Sequence, residues 1–254
     1  MQRYFIKTDQ IKDQQVRITG DDVHHITTVM RGNIGDQLIL CSDDKRTYLT
    51  QIAHLSKTEV TVEVVEEREE NVELPVFVMI AQGIMKGDKF DLVVQKGTEC
   101  GASGFVPVAM KRSVAKIEGA KRDKKVLRWQ KIALEATRQA HRQIIPVVHE
   151  PTTLKQLINS AGDYDECLFA YETREAHFKS ALKEVVQKLK PGMRLLILIG
   201  PEGGIDSSEV NELTTAGFHA IGLGPRILRT ETAPLYVLSA LSYALEIERR
   251  IEHE

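Results

Sequence analysis

From Pro75 onward the chain alternates apolar strand-like runs with amphipathic helical stretches, and that alternation leaves few folds open. The runs are Val76 to Ala81, Gly104 to Ala109, Ile144 to Val148, Cys167 to Tyr171, Arg194 to Ile199 and His219 to Gly222. Between the first two, Phe90, Val93, Val94 and Gly97 fall at i, i+3, i+4 and i+7 of a helix expected over Asp88 to Cys100. A second helix, Asp123 to Ala140, would bury Trp129, Ile132, Ala133 and Ala136. Strands separated by helices pair in parallel through right-handed crossovers, so an α/β unit with a mostly parallel sheet is predicted. A closing helix over Ala233 to Arg250 offers Leu238, Leu241 and Leu245 either to the core or to a dimer interface.

Before Pro75 the grammar differs. Short strand-like pieces, Val16 to Ile18, Gln37 to Cys41, Thr47 to Leu55 and Glu59 to Val65, are separated by turn signals such as Gly35-Asp36 and Asp43-Asp44. They read as a small β-barrel with one helical insert, Asp21 to Arg31, opened by two aspartates. His24 and His25 are adjacent in that insert, so they face different ways and do not make a metal pair. The change of pattern sets a domain boundary at 72/73, giving a barrel over 1–72 and the α/β unit over 73–254.

The longest apolar run, Val76 to Ala81, is six residues, far below the roughly 18 to 20 that a membrane helix requires. The N-terminus has no apolar signal core, and a cytoplasmic location is expected. Cys41, Cys100 and Cys167 are too scattered for a zinc knuckle or a disulfide framework, and no metal site is expected. HExxH, GxxxxGK[ST], GxSxG and GxGxxG patterns do not occur, which weakens the commonest hydrolase, NTPase and dinucleotide readings.

Charge is informative by position. Residues 111–142 carry eleven Lys or Arg against three acids, a balance of +8 in a chain of net charge −2, which leaves −10 for the remainder. Such segregation suits a polyanion-binding surface, here Lys111, Arg112, Lys121, Arg122, Lys124, Lys125, Arg128, Arg138 and Arg142. A solvated helix face is the alternative. The acidic run Glu63 to Glu73 reads as a solvated strand end and linker.

Two loops carry the candidate chemistry. GPEGG, Gly200 to Gly204, follows the apolar run Leu195 to Ile199 and precedes a capping box, Asp206-Ser-Ser-Glu209. Ligands of open α/β sheets sit at the carboxyl ends of strands, where a glycine such as Gly200 lets backbone approach closely. GLGPRILRTETAP, Gly222 to Pro234, also follows a strand; its Leu223, Ile227 and Leu228 would either cover a ligand or cap the sheet end.

These two loops, with His24 to Arg31, Gln82 to Gly101 and Arg128 to Pro146, resemble the small-subunit ribosomal RNA uridine-N3 methyltransferase family of the SPOUT superfamily, over nearly the whole chain. The chain departs from the family pattern at Gln139-Ala140-His141, where Gln-Ser or Gln-Cys is frequent. The resemblance implies a PUA-like N-terminal barrel, a deep trefoil knot that binds S-adenosylmethionine, a homodimer, and ribosomal RNA or the small ribosomal subunit as partner. Carried over by position, the cofactor would be held by Ala170, Tyr171, Leu198, Ile199, Gly200, Leu223, Gly224 and Leu228, with Leu198, Leu223 and Leu228 as apolar walls. On this reading Arg229 and Arg226 stabilise charge on the uridine, and Glu231 or Glu202 takes its proton. A ribose 2'-O-methyltransferase of the same superfamily and a non-catalytic RNA-binding assembly factor are the competing readings.

Overall fold

A computed structural model describes residues 1–117, 119–171 and 181–248 of the chain. Two compact units are present, one made of Met1–Glu73 with Thr137–Ile144, the other of Leu74–Ala136 and residues from Ile145 on. The chain thus passes between the two units more than once, because a short stretch that includes the end of the basic region groups with the N-terminal unit.

The N-terminal unit is a six-stranded sheet of β1 (Arg3–Ile6), β2 (Ile11–Lys12), β3 (Gln15–Thr19), β4 (Gln37–Ser42), β5 (Thr47–Leu55) and β6 (Glu59–Arg68), in the order β1-β4-β5-β6-β3-β2. Neighbours are antiparallel except β1 and β4, which run parallel. Strand β3 shows the period-two logic: Val16 and Ile18 are buried while Gln15, Arg17 and Thr19 are exposed. Their core partners include Tyr4, Ile26, Leu40, Ile52, Val60 and Val62. Sequence pattern missed β1, whose apolar residues do not alternate with polar ones. The expected helical insert is only α1 (Asp21–His24) before it widens into a π-turn over His25–Val29, with Arg31 in a left-handed conformation. Tyr4 Oη lies 2.9 Å from His25 Nδ1, so this histidine is tied to the barrel core.

Residues 137–144 join this unit through buried ion pairs. Arg138 pairs with Asp22 and lies over the Tyr4 ring. Arg142 binds Glu73, whose carboxylate also accepts the backbone N–H groups of Gln143 at 2.9 Å and Ile144 at 3.1 Å. Gln143 Nε2 donates to Thr47 Oγ1 at 2.9 Å. Arg138 and Arg142 are therefore structural, and their placement in an RNA-binding surface is corrected: their guanidiniums are buried and engaged.

In the second unit the described residues give a seven-stranded parallel sheet. Its strands are β7 (Phe77–Gly83), β8 (Gly104–Ala109), β9 (Val147–Val148), β10 (Thr152–Thr153), β11 (Glu166–Ala170), β12 (Arg194–Ile199) and β13 (His219–Ile221). The order is β10-β8-β7-β12-β11-β13, with β9 also beside β8. Helices α2 (Lys89–Glu99), α3 (Ala120–Gln139), α4 (Leu154–Asn159), α5 (Ala181–Lys188), α6 (Ser207–Thr215) and α7 (Ala233–Ser242) complete it. Strand β12 is buried on both faces, as a central parallel strand requires. Leu195, Ile197 and Ile199 face a core with Phe90, Val93 and Leu238, whereas Leu196 and Leu198 face another with Leu213 and Phe218.

Leu238, Leu241 and Leu245 all lie inside the chain's own core, which corrects their use at a dimer interface. The large apolar side chains left exposed there are Tyr236, Tyr243 and Ile247. Helix α7 passes into a π-turn over Tyr243–Glu248; the expected end of the helix at Arg250 lies outside the described residues, as does Glu118 of the basic segment.

Candidate active site

Parallel pairing brings the carboxyl ends of β7, β12, β11 and β13 to one edge of the sheet, and a cavity of about 690 Å³ opens there. Three loops line it: Ala170-Tyr171 after β11, Ile199 to Ile205 after β12, and Gly222 to Glu231 after β13. This is where α/β sheets place their ligands, and the volume falls within the range of small-molecule sites.

Residues that sequence reasoning passed over fix the loops to one another. Gln82, a fully buried polar residue at the end of β7, donates through Nε2 to the Gly200 carbonyl at 3.2 Å and to Thr230 Oγ1 at 2.9 Å. Thr230 Oγ1 in turn donates to the same carbonyl at 2.5 Å. A Cβ on Gly83 would stand 2.4 Å from the Pro201 nitrogen, so the GPEGG loop rests directly on β7 backbone. A polar residue and a glycine closing an otherwise apolar strand were the available signal.

The role expected of Gly200 changes. The space its missing side chain leaves is taken by Ile205, 2.8 Å from an ideal Cβ, so this glycine serves the packing of the loop on itself. Gly204 (φ +74°) makes the turn and donates to the Pro201 carbonyl at 2.9 Å. The predicted capping box forms: Asp206 accepts from Ser208 N at 3.1 Å and Glu209 from Asp206 N at 3.0 Å.

Of the residues expected at a cofactor, Ala170, Tyr171, Ile199, Gly200, Leu223, Gly224 and Leu228 line the cavity together. Leu198 does not: strand alternation turns its side chain into the opposite core, so it is no wall of the site. Leu223 and Leu228 do both things foreseen for them, lining the cavity while packing against the main core. Ile227 is 79% exposed.

All four residues expected at the chemistry also line the cavity. Arg226 and Arg229 are exposed and, among the described residues, make no ion pair. Glu202 and Glu231 are drawn toward Lys89, the first residue of α2, whose Nζ stands 3.0 Å from Glu202 Oε1 and 3.8 Å from Glu231 Oε2. Burial by itself would raise the Glu202 carboxyl. The Lys89 ammonium and the amides of Glu202 and Lys86 outweigh it and hold the group below the usual carboxylate range. With Arg112, the lining holds four cations against two carboxylates, a balance that favours an anionic substrate.

The basic segment divides by environment. Arg112 bonds the Gly203 carbonyl at 3.2 Å and Asp206 at 3.1 Å, which makes it a brace of the GPEGG loop. Lys111 Nζ donates to Ser208 Oγ at 2.5 Å. Arg128 pairs with Asp91, and Arg122 with Asp123 and Glu150, both while partly exposed. Lys121 and Lys124 are exposed, and Lys125 lies 5.6 Å above the Trp129 ring.

Comparison with known proteins agrees with this geometry. Residues 72–242 match an RNA methyltransferase domain and residues 18–65 an RNA methyltransferase PUA domain. The ribosomal RNA small subunit methyltransferase E of Bacillus subtilis is 46% identical, the match covering 98% of this chain and 99% of that protein. Its namesake from Neisseria gonorrhoeae, crystallised with S-adenosyl methionine, superposes with a TM-score of 0.82 at 26% identity over 95% of this chain and 97% of that one. A Legionella pneumophila structure in complex with the bound cofactor SAM gives 0.82 at 29% identity, with the same coverage. Fold, paired loops and sequence likeness converge: the chain belongs to the ribosomal RNA small subunit methyltransferase E family.

Proposed function

We propose that this methyltransferase transfers a methyl group from S-adenosylmethionine to N3 of a uridine in small-subunit ribosomal RNA. The observation that carries the reading is one cavity in which three strand-end loops meet two exposed arginines. The lining fits the cofactor: Ile199, Leu223 and Leu228 offer apolar walls, while Gly224 puts exposed backbone at the cavity. Bound there, S-adenosylmethionine supplies an activated methyl group on a sulfonium. The chain's own task is to position and to manage charge. A uridine imide ionises above neutrality, and each pH unit of that gap is worth about 1.4 kcal/mol. Arg229 and Arg226 favour the imide anion by facing its carbonyl oxygens, and a cavity carboxylate accepts the proton.

The same reading includes a barrel that orients RNA, phosphate contacts from the exposed Lys121 and Lys124 and the partly exposed Lys125, and a target base unstacked to reach the cavity. It also includes a trefoil knot, which the family likeness implies; in this chain Thr230, beyond β13 in sequence, bonds the Gly200 carbonyl and Gln82. A homodimer is supported by Tyr236, Tyr243 and Ile247, exposed on the last helical stretch. A cytoplasmic location accords with the finding that no helix among the described residues is long and apolar enough to cross a membrane.

The test is nucleoside analysis of small ribosomal subunits incubated with the purified protein and methyl-labelled cofactor. Label in N3-methyluridine is the expected result. Label in a ribose 2'-O-methyl group would replace this reading with the ribose one, and cofactor binding without any transfer would leave an RNA-binding assembly factor.

A further inference from the structure

The two carboxylates of the cavity are not equivalent. Glu202 Oε1 is bonded twice, by Lys89 Nζ at 3.0 Å and by the Lys86 backbone N–H at 3.2 Å, so it is held as an anion within the loop framework. Glu231 is the more buried, its side chain 14% exposed against 27% for Glu202. Its Oε2 has no solvent contact and no hydrogen-bond partner, although it belongs to the cavity lining. A buried carboxylate oxygen left without a donor is costly, and the cost is recovered when a donor arrives. The Lys89 ammonium, 3.8 Å away, is too distant for a hydrogen bond yet turns its positive charge toward that oxygen. The other charged groups lining the cavity are Arg112, Arg226, Arg229 and Glu202, with the Tyr171 phenol.

We propose that Glu231 is the proton acceptor of the reaction, through its carboxylate, and that Lys89 is the positioning residue that separates the two carboxylates by hydrogen-bonding Glu202 and not Glu231. The inference rests on the uridine-N3 reading above. In the step assigned to Glu231, the N3–H bond breaks, its electron pair stays on N3, and the proton passes to the Glu231 carboxylate, from which it leaves to water after product release. Glu202 touches no reacting atom.

Four variants test this in the full chain with small-subunit RNA: Glu231→Gln, Glu202→Gln, Lys89→Met and Lys89→Arg. Glu231→Gln should lose about 100-fold or more in saturated rate, with cofactor and RNA affinity within about threefold of wild type. Its rate should keep climbing with pH where the wild type has levelled off. RNA transcribed with 5-fluorouridine, whose imide ionises more readily, should recover at least about tenfold of that loss. Glu202→Gln, whatever its rate, should gain nothing from 5-fluorouridine. Lys89→Met should move the acid limb of the profile to higher pH, and Lys89→Arg should bring it back. If Glu202→Gln is the variant rescued by 5-fluorouridine, or Glu231→Gln retains the wild-type profile, the assignment falls. Should Glu231→Gln fail to fold, as thermal melting would reveal, an unshifted acid limb in Lys89→Met overturns it independently. Wild-type protein that forms no N3-methyluridine would instead defeat the uridine reading, an outcome visible before any variant is made.

Discussion

Among single residues, Arg229 separates holding a cofactor from lowering a barrier. Its guanidinium lines the cavity and, among the described residues, is committed to no ion pair. If it stabilises charge on the uridine, Arg229→Ala should reduce the saturated rate by about 100-fold, or ~2.7 kcal/mol, with cofactor affinity unchanged and partial recovery at higher pH. A weaker RNA affinity with an intact saturated rate would make it a phosphate contact. His141 is a different case. It ends α3 in a left-handed conformation (φ +55°), with Arg142 N bonding back to the Thr137 carbonyl at 3.0 Å. Glycine adopts that conformation without strain, so His141→Gly should raise stability by ~0.5 kcal/mol in urea unfolding despite its greater unfolded-state entropy. The sequence showed His141 only as a departure from a family pattern; the backbone angle behind it is a property of the fold. Glu231 and Glu202 were equally visible as candidate acids, and only their burial and hydrogen bonds in the fold tell them apart.

At the level of elements, strands and helices were legible because burial repeats with their periods. Val16 and Ile18 announced β3, and Phe90, Val93, Val94 and Gly97 announced the inner face of α2, where all four are buried. What periodicity does not encode is how one strand end meets a distant loop. Gly83 illustrates this, since nothing local shows that Pro201 will stand where its side chain would be. Gly83→Ala should therefore destabilise by roughly 1 to 3 kcal/mol and weaken cofactor binding together. Gly87→Ala, at a φ of +66° but with nothing within 4 Å, should strain the backbone and leave cofactor affinity near wild type. Equal loss of affinity in both would show that the seat of the GPEGG loop on β7 is unimportant. Leu198 carries the same lesson: the next residue, Ile199, lines the site, but alternation sends Leu198 to the other face.

Across the whole molecule, charge segregation was the feature read most directly from sequence and the one the structure revised most. Of the basic set, Arg138 and Arg142 hold residues 137–144 within the N-terminal unit, and Arg112 braces a loop, so the surface available to phosphates is smaller than the count of cations suggests. Replacing Lys121, Lys124 and Lys125 with Gln should lower the salt slope of RNA binding by roughly 2 to 3 without touching cofactor affinity. Removing Glu73, by contrast, strands a buried guanidinium and should cost roughly 3 to 5 kcal/mol. The sequence supplied the sign of the field and left hidden which cations were already spoken for. The stitch of Gln82 to Gly200 and Thr230 spans 118 and 148 residues of chain, and it lies where β12 sits in the sheet between β7 and β11. Contacts of that separation are the slowest to form, because loop closure precedes any return from the bond. Ile199 of β12 pairs with Gln82 across nearly the same length of chain, so the stitch belongs to the sheet it fastens: in refolding, competence to capture cofactor should return together with the sheet signal.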